Sequence, residues 1–344
     1  MSTIFDVEKY SGVSRSTISR YLNNKPVTAD NKVKIEKAIL ELNYKKNPLA
    51  SGLKSNKTNV VGIVLPDITD PFFPPIVKQL ERKLREYGFR TLFNNYGNDS
   101  QIEIEQVEVL INQRVDGLII ATSAADGKHI NACIEAGVPT VMVDRLLDDV
   151  NCDSVTVDNY AATYDAISLA IRKGHKKIGI VRGQTNIYSD IIRYQAFIDA
   201  LNDHDIEIRE EYIGHSDDLL IHDSKRQFMR LLNQKDAPTL IFCPNVYLAL
   251  GAFEARLEFG LSIPDEVSVL TFDHLPSFPH FSFLECIQPG FASIRQPLEL
   301  IAETTADLLI KRMNDGINAY APIRKELKTT LINMESIKDL TAQK

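Results

Sequence analysis

The sequence predicts an α/β protein with a small N-terminal helical head and a two-lobed core of doubly wound parallel sheets. A three-helix pattern in the first 45 residues predicts the head. From Asn59 onward, apolar segments of strand length alternate with amphipathic helices, and the first strand motif, Val61-Gly62-Ile63-Val64, recurs as Ile178-Gly179-Ile180-Val181. Such alternation is typical of parallel sheets covered by helices. The recurrence predicts two similar lobes with a cleft between them.

The head is predicted to contain a helix over 4–11, a second helix after Ser14, and a third over about 29–42. Gly12 supplies the turn after the first helix, because a left-handed backbone costs glycine little. Ser14 is the expected N-cap of the second helix. Apolar side chains at helical spacing are expected to form the core of the head, and they are Ile4, Val7, Tyr10, Val13, Ile18, Leu22, Val33, Ile35, Ile39 and Leu42.

The second helix has the composition of a DNA-reading element. Arg15, Ser16 and Arg20 lie on one face of it. Arginine guanidinium groups match the guanine edges of the major groove, where a compact helix fits. Short polar side chains suit the phosphates, which position a protein without specifying sequence. We therefore expect DNA contacts from the head at Ser14, Arg15, Ser16, Thr17, Ser19, Arg20 and Asn23.

The charge distribution supports this interpretation of the head. The chain of 344 residues has a formal net charge of −7, but residues 1–57 carry 11 Lys and Arg against 5 Asp and Glu. The remaining residues carry 28 against 41. A basic head on an acidic body is expected when only the head contacts phosphates. The alternative is a chance helical bundle in which Arg20 is a solvated or ion-paired surface residue.

A short segment, residues 47–57, is predicted to be a hinge between head and core. It reads Asn47-Pro48-Leu49-Ala50-Ser51-Gly52-Leu53-Lys54 and is too short for a stable isolated helix. We expect it to become helical only on a partner, with Leu53 as an apolar wedge in the minor groove. In the alternative interpretation, Leu53 is a linker residue that rests on the core.

The core is predicted to contain at least eight strands and eight helices. The strand candidates are 60–65, 89–94, 116–121, 138–143, 154–157, 177–181, 238–243 and 267–272. The helix candidates are 73–87, 101–113, 127–136, 160–173, 190–202, 222–233, 246–259 and 295–314. We expect a helix-turn-helix domain over 1–46 and a core over 58–344. Lobe 1 is expected to comprise about 58–158 and 292–320, and lobe 2 about 159–291 and 321–340.

The sequence argues against an enzyme, a metal site and a membrane protein. It contains no G-x-G-x-x-G, Walker A, G-x-S-x-G or H-E-x-x-H motif. Its four cysteines form no C-x-x-C pair, so we expect buried apolar thiols in a reducing cytosol. No signal peptide or membrane-length apolar segment is seen. We therefore expect a cytoplasmic protein without a cofactor.

Several motifs together resemble the lac repressor (LacI/GalR) family of bacterial transcription regulators. In the head they are Ile4–Val7, Gly12–Ser14, Thr17–Asn23, Asn43-Tyr44 and Asn47–Leu53. In the core they are Pro66–Phe73, Asp116–Ile120, Pro139–Arg145, Val157–Asn159, Gly174–Ile178, Pro264–Val269 and Ile294–Pro297. The resemblance covers nearly the whole chain.

The resemblance implies a homodimeric repressor that binds a near-palindromic operator and whose core resembles periplasmic sugar-binding proteins. The hinge helices would contact DNA through Ala50 and Leu53. The chain departs from the family pattern at Glu8, where alanine is usual, at Ser51, where a basic residue is common, and at Val246, where aspartate is common. Glu8 is expected to change how the first two helices pack.

A small sugar is the effector that the cleft is expected to bind. Asp70, Phe72 and Phe73 follow the first strand, where ligands bind in such folds and where a ring can stack on a sugar. The resemblance adds Asp144, Arg145, Arg193, Asn245, Asp273 and Gln296. As alternatives, Asp144 or Asp273 caps a helix or turn, Arg193 pairs with a nearby acid, and at least one of the two phenylalanines belongs to the core.

These observations predict a sequence-specific transcription regulator, a repressor of carbohydrate-utilisation genes controlled by a sugar or sugar-derived effector. The predicted partners are operator DNA, the effector and a second copy of the chain, with no membrane. An alternative from another class is a free-standing cytoplasmic sugar-binding protein whose head contacts protein. An activator, or a repressor that needs a protein corepressor, is also compatible with the sequence.

Overall fold

The computed structural model describes residues 2–22, 25–45, 57–216, 221–274 and 290–341. These residues divide into an N-terminal unit that ends at Asn59 and a second unit that begins at Val60. Asn23, Ala50 and Leu53, three of the predicted DNA contacts, lie outside the described residues. The predicted hinge helix is therefore not part of this description.

Three short helices form the N-terminal unit: α1 (Ile4–Ser11), α2 (Arg15–Leu22) and α3 (Ala29–Glu41). Thr3 and Asp6 form a capping box at the start of α1, and Gly12 ends it with φ 68°. This left-handed conformation is the one that favours glycine. The buried core of the unit consists of Val7, Val13, Ile18, Ile35 and Ala38. Two residues predicted to face inward, Tyr10 and Val33, are instead exposed.

The second unit contains two six-stranded sheets with equivalent strand orders. The first sheet has the order β11-β5-β4-β3-β1-β2. Its strands are β1 (Val60–Leu65), β2 (Arg90–Asn95), β3 (Gly117–Ile120), β4 (Thr140–Val143), β5 (Asp153–Val157) and β11 (Arg324–Leu327). All pairs in this sheet are parallel. Its inner strands are buried on both faces, as parallel strands covered by helices must be.

The second sheet has the order β12-β10-β9-β8-β6-β7. Its strands are β6 (Ile178–Arg182), β7 (Ile213–His215), β8 (Leu240–Cys243), β9 (Ser268–Phe272), β10 (Ala292–Arg295) and β12 (Thr330–Ile332). Only the edge strand β12 is antiparallel. Because β6 occupies the position that β1 has in the first sheet, the predicted recurrence of the strand motif corresponds to two equivalent lobes.

Eight helices of the described residues cover these sheets. The first lobe has α4 (Phe73–Glu86), α5 (Ser100–Asn112), α6 (Lys128–Glu135) and α11 (Leu298–Asp315). The second has α7 (Asn159–Arg172), α8 (Tyr188–Asp203), α9 (Ile221–Leu232) and α10 (Val246–Phe259). Helix α5 lies so close to β1 that a Cβ on Gly62 would come within 2.7 Å of Leu110. The predicted fold class is confirmed.

The expected division of the C-terminal segments between the lobes is partly wrong. Residues 292–320 were expected in lobe 1, but β10 pairs with β9 in the second sheet, and only α11 packs on the first. Residues 321–340 were expected in lobe 2, but β11 pairs with β5 in the first sheet. The chain crosses between the lobes after β5, β10 and β11. Three crossings were expected, but the last two were placed before β10 and β11 instead of after them, because these four-residue strands carry only a weak pattern.

Candidate functional site

All nine predicted effector residues line one small cavity between the lobes. The cavity has a volume of about 60 Å³, far below the roughly 300–1,000 Å³ of ordinary ligand pockets. The nine are Asp70, Phe72, Phe73, Asp144, Arg145, Arg193, Asn245, Asp273 and Gln296. Most of them follow strands, because the carboxyl ends of both parallel sheets meet at the cleft. That they bind an effector remains a prediction.

Asp144 and Asp273 occupy equivalent positions in the two lobes. Asp144 follows β4 with φ 67°, and Asp273 follows β9 with φ 72°. The backbone N–H of Asp144 donates to the Val155 carbonyl at 2.9 Å, and that of Asp273 donates to the Ile294 carbonyl at 3.0 Å. Burial raises the pKa of both carboxyl groups. Their backbones close the ends of their strands, while their carboxylates face the cleft.

Arg193 is held in place by residues of the second lobe. Its Nε donates to Asn159 Oδ1 at 2.8 Å, and its Nη1 donates to the Pro244 carbonyl at 2.6 Å. Asp273 Oδ2 lies 4.0 Å from the same Nη1, and the guanidinium lies 3.5 Å from the centre of the Phe272 ring. Burial lowers the pKa of Arg193, and the attraction of Asp273 opposes this shift. The guanidinium is thus held rigidly at the floor of the cavity.

Two amide side chains fix the geometry on the same side of the cleft. Gln296 Nε2 donates to Asp273 Oδ1 at 2.6 Å. Asn245 Oδ1 accepts the Leu248 N–H at 3.0 Å and so caps α10. This cap satisfies one of the free N–H groups at the helix start. The amide nitrogen of Asn245 is the part of that side chain left for a ligand.

The two phenylalanines have different surroundings. Both belong to the buried core and line the small cavity, but only Phe72 also lines a neighbouring cavity. Their rings meet edge to face with centroids 5.0 Å apart. At least one of them was expected to belong to the core, and both do. Phe72 is the ring available to stack on a ligand.

The neighbouring cavity has a volume of about 560 Å³ and is lined by residues 295–300 together with residues after β1 and β9. It shares Phe72, Asp273 and Gln296 with the smaller cavity. His274, Arg295 and Glu299 are its charged or titratable lining residues besides Asp273. A ligand of sugar size therefore requires either a wider cleft or an extension into this adjoining space.

Sequence reasoning missed six residues that line the small cavity: Gln184, Ile187, Ser189, Asp190, Pro244 and Tyr247. The most informative is Tyr247, on α10 of the second lobe. Its hydroxyl lies 3.2 Å from Thr69 Oγ1 and 3.4 Å from Asp67 Oδ2 of the first lobe. Thr69 and Asp67 follow β1, and this position after a strand was the signal that could have placed them at the cleft. Tyr247 thus bridges the two lobes.

The predicted base-reading residues are on the surface of the N-terminal unit. Arg15, Ser16 and Arg20 are exposed on α2. The Ser14 carbonyl accepts the Ile18 N–H, which begins the helix. The Ser14 hydroxyl bonds to the hydroxyls of Ser16 and Thr17 at 3.0 Å, so its side chain does not cap the backbone as expected.

Glu8, the departure from the family pattern, joins α1 to α2. Its Oε1 accepts the Arg15 N–H at 3.2 Å, and its Oε2 lies 2.9 Å from Arg15 Nε. The Arg15 guanidinium also lies 4.7 Å from the centre of the Phe5 ring. Glu8, and not the Ser14 side chain, therefore accepts the N–H at the start of α2.

Among the described residues, no group of three His, Cys, Asp or Glu side chains is arranged to hold a metal ion. Within the same residues, no helix is long and apolar enough to cross a membrane. Cys133, Cys152 and Cys243 are buried free thiols, and burial raises the pKa of each. Cys286 lies outside the described residues.

Comparison with protein families identifies both units. Residues 3–47 match the family of bacterial regulatory proteins of the lacI type. Residues 58–334 match the family of periplasmic binding proteins and the sugar-binding domain of the LacI family. A curated relative, the HTH-type transcriptional repressor PurR of Actinobacillus pleuropneumoniae serotype 3 (strain JL03), is 28% identical over 341 residues, which cover 99% of each chain.

Solved structures agree with this assignment. The transcriptional regulator CelR in complex with cellobiose is 26% identical, with a TM-score of 0.70 over 98% of this chain and 100% of that one. The lac repressor dimer bound to operator and the anti-inducer ONPF has a TM-score of 0.82 at 24% identity, over 98% and 99% of the chains. At 24% identity, the similarity to the lac repressor shows the fold alone. The chain belongs to the LacI family of DNA-binding transcriptional repressors.

Proposed function

We propose that the protein is a homodimeric repressor of carbohydrate-utilisation genes whose operator affinity is controlled by a small sugar or sugar-derived effector. The observation that carries this proposal is the cavity lined by all nine predicted residues. It combines carboxylates, amides and arginines, which hold vicinal hydroxyls by paired hydrogen bonds. The cellobiose complex of the relative CelR supports a sugar as the effector.

DNA recognition is assigned to α2. Arg15 and Arg20 supply guanidinium groups for guanine edges, and Ser16 reads a neighbouring base. Ser14, Thr17 and Ser19, with Asn23, supply phosphate contacts. Ala50 and Leu53 are proposed to contact the minor groove at the centre of the operator. The free head holds Arg20 Nη2 at 3.1 Å from the Pro26 carbonyl, a contact that base binding would replace.

The role of Arg20 is tested by replacing it with alanine. We expect operator affinity to fall by about 1–3 kcal/mol, because a guanidinium that reads a base is lost. Affinity for random duplexes should change much less. The measurement is fluorescence anisotropy of the full chain with a duplex selected from a random pool, over a range of salt concentrations. An equal loss on selected and random DNA would remove Arg20 from base reading.

A dimer is proposed because two heads are needed to bind a near-palindromic operator. The lac repressor relative is a dimer on its operator. In this chain the edge strand β2 exposes Leu92 and Phe93, an apolar strand edge that isolated proteins usually protect. We propose that the protein acts in the cytoplasm, where it meets the DNA. Sedimentation of the full chain tests the dimer, and a monomer at micromolar concentration would contradict it.

The effector is proposed to alter the closure of the two lobes and thereby the spacing of the two hinges. In the structure the lobes are joined across the cleft by Tyr247, Thr69 and Asp67. The sign of the coupling distinguishes an inducer from a corepressor. A reporter gene behind the selected operator, in a strain that lacks the chain, separates repression from activation.

A further inference from the structure

Glu8 on α1 contacts the start of α2, the helix to which DNA reading is assigned. Its Oε1 accepts the Arg15 N–H at 3.2 Å, and its Oε2 lies 2.9 Å from Arg15 Nε. Asp6, the other acid of α1, contacts its own helix start, where its Oδ2 accepts the Thr3 N–H at 2.7 Å. The Glu8 carboxylate thus contacts both the backbone and the side chain of the first residue of α2.

Phe5 adds a second contact between α1 and the Arg15 side chain. Phe5 and Glu8 are three positions apart on α1, so they lie on one face of that helix. The Arg15 guanidinium lies 4.7 Å from the centre of the Phe5 ring, within the range of a cation–π contact. A carboxylate and an aromatic ring together restrict the directions that the Arg15 guanidinium can take.

Arg20, the other arginine of α2, is held in a different way. Its Nη2 donates to the Pro26 carbonyl at 3.1 Å, and this neutral group does not offset its charge. Arg15 instead lies beside a carboxylate, which does. A phosphate attracts an arginine chiefly by charge, whereas a guanine edge requires a guanidinium in the right orientation. An oriented and partly neutralised arginine should therefore distinguish a base edge from a phosphate better than an unrestrained one.

Stability alone gives a weak reason for the Glu8–Arg15 pair. The Arg15 side chain is 54% exposed and that of Glu8 is 35% exposed. Exposed ion pairs contribute little to stability, because water screens them and the long side chains lose freedom. When α2 enters the major groove, water leaves this region and the attraction between the two charges becomes stronger. The effect of the pair is therefore expected at the DNA interface.

We propose that Glu8 is a specificity-determining residue of the head, which acts through Arg15. Its carboxylate holds the Arg15 guanidinium against α1 and weakens the attraction of that group for phosphates. Arg15 then adds to binding chiefly where it meets a guanine edge. Glu8 is a positioning residue in this role and needs no DNA contact of its own. The inference rests on the proposed function, in which Arg15 reads a base in each half of the operator.

The first test is Glu8→Gln in the full chain, measured by fluorescence anisotropy with random duplexes and with a duplex that the wild type selects from a random pool. Glutamine keeps an oxygen for the Arg15 N–H but removes the charge. We expect the ratio of selected to random affinity to fall about five-fold or more. The salt dependence on random DNA should steepen by about one unit per head, because the released arginine contacts a phosphate. Glu41→Gln, at an exposed position that ends α3, is the matched control for charge and should keep the wild-type ratio.

The second test is a double-mutant cycle, which measures whether two residues act together. Glu8→Gln should lower the affinity ratio in the wild type and in Arg20→Ala, but not in Arg15→Ala. Binding to random duplexes shows for each variant that the head is folded.

An unchanged ratio in Glu8→Gln, or a fall that persists in Arg15→Ala, would overturn the inference and leave the proposed function intact. A different result identifies a failure of the proposed function. If the wild type prefers no duplex, or if Arg15→Ala keeps the full preference, base reading by Arg15 is wrong and the role of Glu8 falls with it.

Discussion

Replacing Asp153 with alanine is expected to destabilise the core by about 3–5 kcal/mol, the usual effect of breaking a buried ion pair from one side. Arg312 Nε and Nη2 donate to Asp153 Oδ2 and Oδ1 at 2.9 and 2.5 Å. The Ile323 N–H donates to the same carboxylate at 2.7 Å. Without it, the buried guanidinium would lose its counter-charge, and the half-buried Ile323 N–H would lose its acceptor.

The Asp153–Arg312 pair joins β5 to α11, so its loss would affect how the C-terminal segment is held. Arg312 on α11 also donates to the carbonyls of Ile317 and Tyr320, and its guanidinium lies 3.7 Å from the centre of the Tyr320 ring. The hydrogen bond with Asp153 raises the pKa of Arg312, so the arginine remains charged. The pair therefore fixes the segment that carries the chain from α11 to β11, beside β5.

Urea unfolding of the full chain measures the effect, with the free energy obtained by linear extrapolation. Glu81→Ala is the matched control, since Glu81 Oε1 pairs with Arg85 Nη1 at 3.1 Å on the solvent-exposed side of α4. Such exposed pairs contribute little to stability, so the control should unfold like the wild type. If the two variants unfold at the same urea concentration, the buried pair does not have the structural role assigned to it.

Replacing Arg193 with alanine is expected to abolish the effector response while the head still binds operator DNA. The change removes the charge beside Asp273 and leaves the Asn159 side chain and the Pro244 carbonyl without their donor. A charge-assisted hydrogen bond to a ligand is worth about 1.5–3 kcal/mol. Each such bond lost should weaken effector binding by about ten-fold or more.

The measurement is a titration of the protein–operator complex with a sugar that raises the melting temperature of the wild-type chain. Arg172→Ala, at an exposed position near the end of α7, controls for the loss of one positive charge. Arg193→Lys separates charge from shape, because lysine cannot contact two acceptors in the plane of a guanidinium. A normal effector response in Arg193→Ala, with the protein folded, would exclude Arg193 from the effector site.

The sequence predicted the elements with strong periodicity well. The apolar run Val60–Leu65 and its repeat at Ile178 became equivalent strands, and the predicted cleft residues came together because parallel sheets place their strand ends side by side. Short edge strands were missed. β11 and β12 contain three or four residues each and are exposed on the outer side, so they lack the buried apolar run that identifies an inner strand.

Pairings between distant residues were beyond the reach of the sequence. Asp153 and Arg312 are separated by 159 positions, and the Tyr247 hydroxyl meets Thr69 across 178. No local pattern encodes such contacts, since they depend on how two lobes and three chain crossings fit together. Glu8 was recognised as unusual, yet its contact with the start of α2 became visible only when its carboxylate was placed beside Arg15.

The central claim is that occupation of the interlobe cavity changes the affinity of the head for DNA. The most direct test begins by selecting a preferred duplex for the full chain from a random pool. The affinity of the protein for this duplex is then measured with and without a sugar that raises the melting temperature of the protein. The account predicts a preferred site bound with steep salt dependence and a shift in affinity of about 1–3 kcal/mol on ligand binding. A protein that prefers no duplex, or whose DNA affinity is unchanged by a ligand that fills the cleft, would contradict it.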